Sequence, residues 1–145
     1  MRIYLDNCCY NRPYDDQTQI RISLETQAKL YIQEMIKNND IELVTSYVLE
    51  FENSNNRFRQ KKETIQKFMD DNESFYVGVE KSYQVNTIAN DIQQTGVKEK
   101  DACHIACAML AECDYFISTD DRLLKYQTNK IKLVTPEEFI REMEG

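Results

Sequence analysis

The stretch that decides the fold runs from Lys98 to Lys125 and reads KEKDACHIACAMLAECDYFISTDDRLLK. Ala102, Ala106, Ala108 and Ala111 make it a helix former, and Asp101 stands in its first turn, where the helix dipole favours a carboxylate. The helix from Lys98 to Cys113 runs directly into a β-branched and aromatic strand, Asp114 to Thr119, which ends on Asp120 and Asp121. Carboxylates set at a helix start and a strand end in this way call for a positive partner.

The same alternation extends in both directions. Upstream, Arg2 to Asp6 (RIYLD) reads as a short buried strand with an acid at its carboxyl end. Asn7 to Gln17 reads as a loop from its Asn, Pro and Asp content, with Pro13 pushing Arg12 away from helical geometry. Asp16 to Lys37 carries apolar residues at mainly helical intervals and predicts a long amphipathic helix with one break near Ser23. Ile41 to Ser46 predicts a second strand, and YVLEFENSNN after it a short helix bearing Glu50 and Glu52. Arg57 to Asn72 predicts a helix, basic in its first half, with Phe58, Ile65 and Phe68 facing inward. Ser74 to Val79 predicts a third strand. A polar helix from Lys81 to Thr95 follows, closed by Gly96, where a helix cap needs positive φ.

Downstream of the opening stretch, Arg122 to Tyr126 predicts a short helix and Ile131 to Val134 a last strand. Pro136 then opens a C-terminal helix at the position where its missing N–H is no loss. Strands alternating with helices predict an α/β fold with a mainly parallel sheet covered on both faces. At 145 residues, with 41% apolar content and only three Gly and two Pro, the chain predicts a single globular domain spanning residues 1–145. It has no apolar run long enough to span a bilayer. Five cysteines, an odd number without an export signal, predict reduced thiols and a cytoplasmic protein. The net charge of −7 argues against nucleic-acid binding through the overall field, and leaves room for a local basic strip.

In an open parallel sheet, ligands bind beyond the carboxyl ends of the strands where the strand order reverses. Asp6 and Asp120 end two strands, Asp101 begins the helix leading into the second of these, and Glu52 lies on the helix after another strand. Four acids from distant segments can therefore meet in one volume. Such a cluster raises its own pKa values or recruits a hard cation, Mg²⁺ or Mn²⁺ rather than zinc, and suits phosphodiester hydrolysis. Taken singly, an Asp at a strand end or helix start is commonly a cap. Glu50 and Asp121 lie two residues and one residue from Glu52 and Asp120 and are the alternatives to them. His104, the only histidine, reads as a packed residue of the alanine-rich helix rather than a ligand. Cys103, Cys107, Cys8 and Cys9 read as small, partly buried apolar groups.

LD at 5 and 6, TSYVLEFEN, KDACHIACAMLAECDYFISTDDRLL and IKLVTPEEF together resemble the PIN-domain ribonucleases, which include the VapC-type toxins of toxin–antitoxin pairs. The resemblance spans nearly the whole chain in order of elements and is specific in sequence from Lys98 to Lys125. It implies a three-layer α/β/α fold and a Mg²⁺- or Mn²⁺-dependent RNA-cleaving site. Asp6 matches the Asp at the end of the first strand, and Glu52 the acid six residues after a Ser, here Ser46. Asp101 matches the helix-opening Asp of a D-A-x-H-x-A pattern, and Asp120 the Asp two residues beyond a strand-end Ser, here Ser118. Asn7 stands where the family often has Thr, and Asn7, Ser118 and Asp121 would orient the ligands. An antitoxin partner and a homodimer are further implications. For RNA, Tyr10 and Arg12 beside Asp6, and Arg57 and Arg59 on the basic helix, are the candidate contacts; a solvated helix face is the other reading of that basic run. The alternatives in function are a PIN-like nucleic-acid or protein binding module that no longer cleaves, and a phosphohydrolase acting on a different ester.

Overall fold

A computed structural model describes residues 1–145 and builds the chain around β1, Arg2–Leu5. Ile3, Tyr4 and Leu5 are fully buried, as a strand covered on both faces requires. The other strands are β2 (Glu42–Ser46), β3 (Glu73–Val77), β4 (Tyr115–Ile117) and β5 (Lys132–Val134). All pair in parallel, in the order β3-β2-β1-β4-β5.

Seven helices connect and cover the sheet. They are α1 (Asn7–Asn11), α2 (Ile20–Lys37), α3 (Tyr47–Ser54), α4 (Arg59–Asn72), α5 (Ser82–Gln93), α6 (Glu99–Leu110) and α7 (Pro136–Glu144). From β1 to β3 the chain moves outward along one half of the sheet, then crosses back to β4 on the other side of β1. Right-handed crossovers put α1, α2 and α4 on one face and α5 and α6 on the other, giving three layers, with α3 touching α1 and α4 as well as α6. The order reverses between β1 and β4, which makes their carboxyl ends the natural crevice.

The inward stripe of α2 runs through Glu25, Ala28, Lys29, Ile32 and Ile36, all buried at helical spacing. On α6 the buried residues are Ala102, His104, Ile105, Ala106, Cys107 and Ala108, and small side chains let it lie close between the sheet and α5. Gly96 has φ 101°, the left-handed geometry expected of it. No helix is long and apolar enough to cross a membrane.

Several elements differ from the sequence expectation. Asn7 to Gln17 is not a plain loop: Asp6 accepts from the Asn7 N–H and caps α1, and a 3-10 turn, Arg12–Tyr14, follows. Burial of Cys9 and Tyr10 holds this short helix down. The long helix begins at Ile20 and is unbroken at Ser23. Asp16 instead closes a local turn by accepting from the Thr18 N–H and hydroxyl. β3 begins and ends earlier than expected, β4 is confined to Tyr115–Ile117, and Phe58, expected inward, is 63% exposed at the start of α4 while Met69 takes a core position.

Candidate active site

The site begins with strand register. Leu5 pairs with Ile117, and the Asp6 N–H continues the ladder by donating to the Ile117 carbonyl at 2.9 Å. Asp6 and Ser118 therefore stand side by side at the carboxyl edge. The Ser118 hydroxyl donates to Asp6 Oδ2 at 2.8 Å, and its oxygen accepts from the Asp120 N–H at 3.1 Å. One serine thus sets the carboxylate of Asp6 and the backbone of Asp120. The other Asp6 oxygen takes the Asn7 N–H at 2.8 Å. Asp120 Oδ1 accepts from the N–H groups of Arg122 and Leu123, at 3.0 and 3.4 Å, which ties the turn beyond β4.

Glu52 is placed from below. Ser46, the last residue of β2, caps α3 by accepting from the Leu49 N–H and shares a 2.7 Å hydrogen bond with Tyr4 Oη. Tyr4 in turn meets His104 Nδ1 at 2.7 Å, and His104 Nε2 meets Glu52 Oε1 at 2.6 Å. A carboxylate only accepts, so Nε2 carries the proton and donates to Glu52, while Nδ1 and the Tyr4 hydroxyl share the other hydrogen bond. Lys100 stands 3.4 Å from the other Glu52 oxygen. Burial pushes the Glu52 carboxyl up, but the hydrogen bond and charge of His104, with Lys100, outweigh it and leave the group below its ordinary value.

Asp101, in the first turn of α6, is different. It is half-buried, and no protein group donates a hydrogen bond to it. Burial first, then the fields of Asp6 and Asp120, raise its pKa; His104 offsets part of this and Glu52 adds to it. Asp6, Glu52, Asp101 and Asp120, together with Asn7, Cys8, Asn11 and Asp15, line one cleft of about 330 Å³. No three His, Cys, Asp or Glu side chains close on one point tightly enough to form a ready-made ion cage.

The other sequence candidates divide. Asn7 and Ser118 hold Asp6 as described. Glu52, not Glu50, faces the cleft; Glu50 lies toward Tyr76. Asp121 does not face the cleft: it is exposed and bound by both terminal nitrogens of Arg21 at 2.8 Å. Tyr10 is 1% exposed, with Lys29 over its ring, so it has no free face for a base. Arg12 is held by Asp15 and Glu25, each at 2.8 Å, and is not a free cation. Arg57 and Arg59 are exposed, Arg57 lies over the Phe58 ring, Arg59 pairs with Glu63, and neither lines the cleft.

Sequence reasoning missed Cys8, Asn11 and Asp15. Reading residues 7–17 as an α-turn would have put Asn7 and Asn11 one turn apart, and the Asn11 amide does donate to the Asn7 carbonyl at 2.9 Å. It also missed Arg21, which donates to the Thr119 carbonyl at 3.1 Å and so braces the chain just before Asp120. His104 is buried as expected, and its contact with Glu52 makes it a positioning residue as well.

No protein-family model and no curated protein matches this sequence. The fold is similar to that of VapBC2 from Rickettsia felis bound to a DNA fragment from their promoter, with TM-score 0.55 and 10% identity over 92% of this chain and 97% of that one. It is similar to FitAcB from Neisseria gonorrhoeae, at TM-score 0.55 and 13% identity over 93% and 98%. FitAB bound to an IR36 DNA fragment gives TM-score 0.54 and 13% identity over 92% and 94%. At these identities the likeness establishes the fold: an α/β, PIN-like arrangement with an all-parallel five-stranded sheet flanked by helices.

Proposed function

We propose that this chain is a Mg²⁺- or Mn²⁺-dependent ribonuclease that hydrolyses RNA phosphodiester bonds at the four-carboxylate cleft, as the toxin of a toxin–antitoxin pair. One observation carries the reading. The Asp101 carboxylate is half-buried with no hydrogen-bond donor and faces three acids from distant parts of the chain at the crevice between β1 and β4. Left alone, that arrangement raises its own energy; a hard divalent cation relieves it.

The four acids offer the oxygen donors such an ion takes, and because no three of them yet close on one point, loading would draw them together. Asp6, Asp101 and Asp120 would hold it, with Glu52 completing the set. When bound, the ion supplies a polarised phosphoryl oxygen and an acidified water. The protein's own part is positional. Ser118 and the Asn7 N–H point Asp6 into the cleft, the Arg122 and Leu123 N–H groups leave one Asp120 oxygen free, and His104 keeps Glu52 ionised and turned inward. No Ser, Cys or His nucleophile is required.

The toxin role draws on the fold likeness to VapBC2, FitAcB and FitAB, and it implies an antitoxin partner for this chain. The net charge of −7 is the feature that favours a non-cleaving binding module instead. Incubation of purified protein with mixed RNA, in Mn²⁺ or in EDTA and beside an Asp101→Asn variant, separates the two. Cleavage that requires both Mn²⁺ and Asp101 is the expected result. Cleavage that needs neither contradicts the mechanism, and no cleavage of any RNA in Mn²⁺ favours the binding module.

A further inference from the structure

A second cavity, of about 470 Å³, adjoins the carboxylate cleft and shares Asp101 with it. Its walls are the Thr95–Lys98 turn, Asp101 and the segment from Arg122 to Gln127. Lys98, Arg122 and Lys125 are its cations, all exposed, and none forms an ion pair with any carboxylate of the chain. By contrast Arg12, Arg21 and Arg59 are each held by an acid. Three unpaired cations converging on one cavity in a chain of net charge −7 need an anionic occupant more than three isolated surface lysines would.

We propose that this cavity seats the phosphodiester backbone of single-stranded RNA immediately beside the bond to be cleaved. The proposal rests on the ribonuclease reading and gives it a direction: the strand leaves the carboxylates past Asp101 and runs over the start of α6 toward the connection between β4 and β5. Lys98 is the N-cap of α6 and makes no side-chain cap, so the first-turn N–H groups beside the cavity add to its positive field. Tyr126, half-buried in the same wall, offers a ring face for stacking, which tolerates any base. The competing surface on α4 is weaker. The hollow formed there by Tyr14, Phe58 and Lys61 shares no residue with the carboxylate cleft, and Arg59 and Lys67 on that helix are paired to Glu63 and Asp71.

The test is metal-free binding. Fluorescence anisotropy of fluorescein-labelled oligouridine, about twelve nucleotides long, is measured in EDTA over a salt series. The wild type is compared with a Lys98→Gln, Arg122→Gln, Lys125→Gln triple variant and an Arg57→Gln, Arg59→Gln double variant. All five positions are exposed, so the melting temperatures stay together. The triple variant is expected to lose about tenfold or more in affinity and to flatten the slope of log affinity against log salt by about two, at roughly 0.7 per phosphate contact on a single strand. The double variant is expected to stay within about twofold. An unchanged triple variant, a loss confined to the double variant, or no binding by the wild type at low salt overturns the subsite. If the wild type binds through these residues yet cleaves no RNA in Mn²⁺, the nuclease reading fails and the subsite stands. If it cleaves while the triple variant binds normally, the reverse holds.

Discussion

His104 Nε2 lies 2.6 Å from Glu52 Oε1, at the end of a buried chain that runs from Ser46 through Tyr4 to the imidazole. Ser46 ends β2 and caps α3, Tyr4 belongs to β1, and His104 to α6. Three elements are thereby locked to the orientation of one cleft carboxylate.

Removing the ring tests that coupling. His104→Ala leaves Tyr4 with Ser46 alone and Glu52 with Lys100 alone, and is expected to cost about 1–3 kcal/mol of stability. Mn²⁺ affinity is expected to fall about tenfold or more, as for other lost orienting partners. A purely structural role would not move the pH profile. Without His104 the Glu52 carboxyl shifts upward, so the acid limb of Mn²⁺ binding, followed by calorimetry, moves to higher pH.

Asp101→Asn is expected to stabilise the fold while abolishing metal binding. Burial and the neighbouring acids raise the Asp101 pKa above its ordinary 3.8. Between the unfolded and folded values the native state binds more protons than the unfolded one, so stability falls as pH rises through that window and the loss is complete above it. The variant escapes this loss. Its melting temperature exceeds that of the wild type at pH 7, and the gap closes below about pH 3.8. Added Mn²⁺ raises the wild-type melting temperature by mass action and leaves the variant nearly unmoved. A variant less stable than the wild type at pH 7 contradicts this.

Glu25 is 1% exposed and accepts from Arg12 Nε at 2.8 Å and Arg21 Nε at 3.1 Å. Arg12 goes on to Asp15 on the cleft wall, and Arg21 to Thr119 and Asp121 beside Asp120. One buried acid therefore braces both lips of the site. Glu25→Ala is expected to lose on the order of 2–4 kcal/mol in chemical denaturation, less than for a wholly buried pair because Arg21 is half in solvent. Asp121→Ala, which breaks only an exposed pair, is expected to lose under about 1 kcal/mol. Equal losses would mean that Glu25 carries no such brace.

The alternation of strand and helix was legible because the longer helices show their period and the short strands are marked by β-branched and aromatic residues. Asp6, Asp101 and Asp120 followed from which end of an element they occupy, and Glu52 from its spacing after Ser46 in the family resemblance. What escaped the sequence was set by contacts remote along the chain. The five-residue α1 is too short to show a period, and it exists because Asp6 caps it and Cys9 and Tyr10 bury against the core. That same turn takes Tyr10 inward, so proximity to Asp6 in sequence did not mean access to a ligand. Arg21 meets Asp121 across one hundred residues, and Arg12 meets Glu25 across thirteen, so no spacing rule marks either pair.

The most direct measurement is an anomalous-scattering map from crystals grown with Mn²⁺. The account predicts a manganese ion in the cleft with carboxylate oxygens of Asp101 and of Asp6 or Asp120 at about 2.0–2.6 Å. A protein that cleaves RNA yet shows no ion at these acids, or binds it elsewhere, would contradict it.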